Sequence, residues 1–182
     1  MSAYSDEEIL KMFRNSETRH YAFNLLVLKY REKVYYFVRR ILIDHDDTDD
    51  VVQNIFIKVW KNLDGFREDS GFFTWLYRIS VNEALSFAKS KKLRLYLTLS
   101  SPEAALLKTL RDDHYFDGSE IERKLQQAVI RLPEKQRIVF NLRYYDEMPY
   151  EQMSDVLGTS VGALKASYHF ALKKIEESLV ND

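Results

Sequence analysis

The chain has 182 residues, with 27 Lys+Arg against 28 Asp+Glu and a formal net charge of -1. That length admits one domain or two small ones, and near-neutrality excludes a uniformly basic nucleic-acid binder, so any such binding must use local patches. The lack of Cys excludes disulfides, thiolate zinc sites and Cys nucleophiles.

Only 5 Gly and 3 Pro argue against a many-turned β architecture. No apolar run approaches 18 residues and no basic-then-apolar start is present, so a cytoplasmic protein is expected. Aromatics reach 14%, more than a small core needs, so some rings are expected at a surface.

In chain order the pattern is helical. Ser5 to Glu8 has capping-box spacing, with Ile9, Met12 and Phe13 following at helical intervals. A long helix is expected over 19–42, because Phe23, Leu26, Tyr30, Val34, Phe37 and Ile41 step by three or four. The acidic knot at 44–50 suits a helix N-terminus, and the helix it opens runs to about Leu63. After a polar loop at 67–71, a helix from about Phe73 to Ser90 ends in a basic cluster of Lys89, Lys91, Lys92 and Arg94.

From Arg94 to Ser119 the pattern weakens, with a short helix expected around Pro102 to Arg111. Ile121, Leu125, Ala128, Val129 and Leu132 form the next stripe, halted by Pro133; Ile138, Val139, Leu142 and Tyr145 form another. Pro149 opens a two-turn helix, Gly158-Thr159-Ser160 makes a turn, and a last helix follows. The expected fold is all-α: two small helical domains at 1–94 and 120–182, joined by a linker at 95–119.

Catalytic chemistry is not visible. The four His are far apart, and the cluster around His45 lacks the glycine and distal Glu of a calcium loop, which favours helix capping there. No phosphate-cradling loop or nucleophile elbow occurs. Neither an enzyme, a metal nor a cofactor is expected.

The first positive signal is helix-turn-helix spacing from Pro149 to Lys174. Gly158 fits a C-cap that needs positive φ, and Ser160 fits an N-cap. The outward face would hold Gly162, Ala163, Lys165, Ala166 and His169: small residues that permit groove approach, beside donors for phosphate or base edges. Spacing alone equally describes a plain αα-hairpin. The second signal is Phe66, Phe72, Phe73, Trp75 and Tyr77 near Arg67, Arg78, Lys89, Lys91 and Lys92. Unpaired bases stack on rings and cations follow phosphates. Phe73 and Leu76 fit a core; no single helical face holds Trp75 and Tyr77 with Phe73, so at least one ring is expected to be accessible.

The stretches DDVVQNIFIKVWKNLDGF and FFTWLYRISVNEALSFAKSKK resemble regions 2.2 to 2.4 of the extracytoplasmic-function sigma factors of the sigma-70 family. The stretch LQQAVIRLPEKQRIVFNLRYYDEMPYEQMSDVLGTSVGALKASYHFALKKIEE resembles their region 4, and 19–42 resembles region 2.1. The resemblance implies promoter-specific initiation in partnership with core RNA polymerase, through its largest-subunit coiled coil and its flap. It implies a polymerase-binding helix carrying Asp50, Gln53, Asn54, Phe56, Lys58 and Trp60. It implies capture of the single-stranded −10 element by Phe66, Arg67 and Ser70 of the loop with Trp75, Tyr77, Arg78 and Asn82, followed by Lys89, Lys91 and Lys92. The duplex −35 element would fall to Ser160, Ala163, Lys165, Ala166 and His169. An anti-sigma factor is a further partner the family often uses.

There are departures from the family pattern: Pro149 replaces the usual polar cap of the two-turn helix, and the others fall in the last helix. Its usual Arg-rich run is LKASYHFAL here, with Ser167, Phe170 and Leu172 at Arg positions, and residues 122–182 hold nine Lys+Arg against nine Asp+Glu. Fewer phosphate contacts and a shallower salt slope are expected there. Two rivals stand beside this reading: a conventional helix-turn-helix regulator, and a helical adaptor that binds only protein.

Overall fold

The computed structural model describes residues 4–97, 101–113 and 118–181. Its first helix, α1 (Asp6–Phe13), is closed by the capping box in which Ser5 and Glu8 satisfy each other's backbone N–H, and it buries Ile9, Leu10 and Phe13. Helix α2 (Arg19–Leu42) buries Leu26, Tyr30, Val34, Phe37 and Ile41 along the expected stripe. Helix α3 (His45–Asn62) starts where the Asp44 carboxylate accepts the Asp47 N–H at 3.0 Å, so the acidic knot serves as a cap. A single 3₁₀ turn at Leu63–Gly65 ends it.

Helix α4 (Phe72–Leu97) runs about two turns beyond the expected stop at Ser90. The residues after Ser90 are good helix formers and none is Gly or Pro, so nothing local halts it. The weak stretch does contain a helix, α5 (Pro102–Arg111), capped by Ser101. The second half comprises α6 (Glu120–Ile130), with a capping box from Ser119 and Glu122, then α7 (Glu134–Tyr144), α8 (Tyr150–Leu157) and α9 (Val161–Asn181). No strand occurs among the described residues.

The first four helices form one bundle. In the second half, Ala128, Val129, Leu132, Phe140, Ala171 and Ile175 make a compact cluster of their own. The two halves nevertheless meet. Ile138, Val139, Leu142, Met148, Met153, Val156 and Leu164 belong to the same continuous core as α1–α4, and the contacts run from α8 onto α4 and from α7 onto α2. A third, smaller cluster of Ile43, Leu110 and Ile130 fastens α5 to both halves. Ile43 is buried there although its φ of 65° is a left-handed conformation unfavourable to a β-branched side chain. Burial of its side chain, worth about 1.5–3 kcal/mol, offsets that backbone cost.

Candidate nucleic-acid interface

The ring cluster forms where the loop before α4 folds back on the helix. Phe66 is buried, its ring 5.1 Å from Trp75 and 6.0 Å from Phe72. Trp75 also packs 5.8 Å from Phe72, yet remains only half-buried. Phe73 is likewise half-buried, with the Lys33 ammonium 5.9 Å from its ring centre. Trp75 and Phe73 are therefore the partly accessible rings.

Tyr77 is not accessible. It is 1% exposed, packed 4.3 Å from Phe73 and 5.3 Å from Phe37. Its hydroxyl donates to the Asp146 carboxylate at 3.4 Å, and burial pushes the phenol well above its ordinary pKa, with that carboxylate adding to the rise. Helical geometry explains the split: Phe73 and Tyr77 are one turn apart and share a face, whereas Trp75 lies on the other side.

Around the rings, Arg67 and Asn82 are exposed and Ser70 is half-buried. Arg78 is exposed, but its guanidinium donates to the Asp155 carbonyl of α8 at 2.8 Å. At the far end of α4, Lys89 and Lys92 are exposed, while Lys91 bridges the Asp47 and Asp44 carboxylates at the start of α3. The basic cluster is thus partly neutralised by the acidic knot.

On α3, Asp50, Gln53, Asn54 and Lys58 share an exposed face, and Lys58 also pairs with Glu83 of α4. Ile57 sits among them at 43% exposure. The stripe reading missed it, because an apolar residue off the stripe looks incidental until its neighbours are seen. Phe56 and Trp60 point the other way. Phe56 is 8% exposed, and Trp60 is half-buried against Phe13, Phe23 and His20, with the Arg19 guanidinium over its ring.

At the helix-turn-helix, Gly158 takes φ 62° as the turn requires, and the Ser160 Oγ accepts the Ala163 N–H at 3.3 Å. Met153 and Leu164 are fully buried between the helices. Ser160, Ala163, Lys165, Ala166 and His169 all face outward, and Phe170 beside them is 53% exposed.

Residues 26–94 match the model of Sigma-70 region 2, and residues 122–175 match Sigma-70, region 4. An RNA polymerase sigma-H factor of Pseudomonas aeruginosa is 30% identical over 96% of this chain and 93% of its own. The chain belongs to the sigma-70 family. Within that family it is similar to the extracytoplasmic-function group: the ECF RNA polymerase sigma-E factor of Escherichia coli K12 is 32% identical over 87% of this chain and 86% of its own. Among solved structures, CnrH in complex with the cytosolic domain of CnrY superposes with a TM-score of 0.69 at 25% identity, covering 98% of this chain and 99% of CnrH. The sigma factor RpoE in complex with the anti-sigma factor NepR from Bartonella quintana shares the fold, with a TM-score of 0.68 at 21% identity over 88% of this chain and 98% of RpoE. The region 2 match takes in most of α2, all of α3 and most of α4, and the region 4 match the helix-turn-helix, so the ring cluster and α9 lie on opposite sides of α5 in sequence.

Proposed function

We propose that this chain directs promoter-specific transcription initiation, lending promoter recognition and strand opening to a core polymerase that performs the chemistry. It is itself non-catalytic and works in the cytoplasm. Residues 1–94 engage core and the −10 element, 95–119 link, and 120–182 read the −35 element. The observation that carries this reading is one chain with a ring-and-cation edge on α4 and an outward, small-residue face on α9, each within the matching family segment.

The exposed face of α3, with Asp50, Gln53, Asn54 and Lys58 around Ile57, docks on the polymerase coiled coil through an apolar anchor and a charged rim. Phe56 and Trp60 hold that helix from behind. Extruding a base costs a few kcal/mol, and stacking on a ring such as Trp75 returns about 1–3 kcal/mol per base. Arg67 and the lysines at the end of α4 follow the backbone. On α9, Lys165 and His169 reach phosphates or base edges. The small charge balance of residues 122–182 gives this half a shallow salt slope. An anti-sigma protein is a further partner, since one solved neighbour is a sigma factor held by an anti-sigma factor.

Run-off transcription with the cognate core tests the proposal: a promoter-specific transcript that depends on this chain is expected, and its absence overturns the reading. Fluorescence anisotropy with forked −10 DNA against plain duplex, with and without core, separates it from a conventional helix-turn-helix regulator, which would bind duplex alone and ignore the fork.

A further inference from the structure

The outward face of the first three turns of α9 carries one large apolar side chain, Phe170, which is 53% exposed. Leu164, Ala171 and Ile175 are buried and mark the inner side of the helix, while Ala163, Ala166, Phe170 and Lys173 step by three or four along the opposite side. Phe170 lies one turn past Ala166, about 6 Å along the helix axis. It takes no part in the apolar clusters of the described residues, and among those residues its one ring neighbour is the adjacent His169, 5.9 Å away. The fold therefore does not use this ring.

The three residues at the family's Arg positions differ in where they sit. Ser167 and Leu172 are half-buried, Leu172 against the apolar cluster of the second half, and Phe170 stands open. A guanidinium would donate to phosphates or to guanine, whereas a phenyl ring donates nothing. The next residue on the same line, Lys173, shares its charge with Glu177 at 4.0 Å. Most base-edge groups in a major groove are donors and acceptors, which a ring would strip of water without replacing it. The exception is the 5-methyl group of thymine. Stacking is closed to the ring here, because the faces of paired bases are covered by their neighbours. Ala163 and Ala166 let the helix backbone approach, and Phe170 reaches further along the groove.

We infer that Phe170 is a specificity-determining residue that reads a thymine of the upstream duplex through its 5-methyl group. The inference rests on the function proposed above and deepens it. At this position the helix exchanges a cation for an apolar surface, so it gains discrimination by burying a methyl group and gives up a phosphate contact.

Holoenzyme assembled from the full-length chain and its cognate core is used to select duplexes from a pool randomised across the −35 region. Each thymine of the selected duplexes is then replaced by uracil, which keeps every hydrogen-bonding edge and removes only the methyl. At one thymine the natural chain is expected to bind the uracil duplex about fourfold more weakly, the factor carried by one buried methyl group. Phe170→Ala is expected to bind the thymine and uracil duplexes alike, at the weakened level. Phe170→Arg is expected to lose the methyl sensitivity and to steepen the salt slope by about one. Equal affinity of the natural chain for thymine and uracil at every position, or a uracil penalty that survives in Phe170→Ala, overturns the assignment and leaves the proposed function standing. If the holoenzyme enriches no upstream duplex at all, the −35 reading of that function falls together with it.

Discussion

At the scale of single residues, the contrast between Trp75 and Tyr77 is the informative one. Two positions apart on α4, they take opposite surroundings: Trp75 half-buried beside Phe66 and Phe72, Tyr77 sealed by Phe37, Phe73 and Asp146. Trp75→Ala is expected to slow strand opening about tenfold, the equivalent of the stacking energy of one base, with core affinity unchanged. Permanganate footprinting and a core-binding titration check the two halves of that statement, and an equal fall in core affinity would make Trp75 purely structural. Lys165→Ala on α9 is expected to weaken upstream-duplex binding severalfold and reduce the salt slope by about one, without changing melting. Arg40 makes a third case. Burial raises the Asp146 pKa despite the opposing pull of Arg40, so the carboxylate depends on that cation at neutral pH. Arg40→Met is expected to destabilise the fold by about 3 kcal/mol near pH 8. With its cation gone, the Asp146 pKa in the folded state rises further above its unfolded value, so the penalty is complete above the folded pKa and fades as pH falls through it. Thermal melts of both proteins at about pH 8 and about pH 5 read this as a melting difference that narrows in acid.

At the scale of elements, local chemistry sets most of the boundaries. The boxes at Ser5/Glu8 and Ser119/Glu122 and the Asp44 cap begin helices where the sequence places them. Gly158 ends α8 in the left-handed region, and a Cβ built there meets no atom within 4 Å. Gly158→Ala is therefore a clean backbone test. It is expected to cost about 1 kcal/mol through φ alone, read as a lower melting temperature with duplex binding per folded molecule preserved. Where local chemistry is silent, the sequence reading fell short. Helix α4 overran its expected end because Lys, Leu and Arg propagate a helix unless something stops them. Ile43 is the reverse case: propensity would put Gly or Asn at φ 65°, and only the cluster with Leu110 and Ile130 explains an isoleucine.

At the scale of the whole molecule, one apolar cluster runs from α1 through α4 into α7, α8 and α9. Shared burial couples the unfolding of the two halves, so calorimetry of the free chain is expected to give a single cooperative transition. Arg40→Met is expected to split it or broaden its low-temperature side; two resolved transitions in the natural chain would show that the seam contributes little. The sequence by itself determined the helices, their caps, their order, the two family segments and the outward face of α9, because each of these depends on spacing within a few residues, which periodicity exposes directly. Only the tertiary structure decided which rings are covered. Tyr77 meets Asp146 across 69 positions and Arg40 meets Asp146 across 106, and contacts at that separation leave no local pattern in the chain. They arise because α8 must bury Met153 and Val156, and the apolar side of α4 is the surface that receives them.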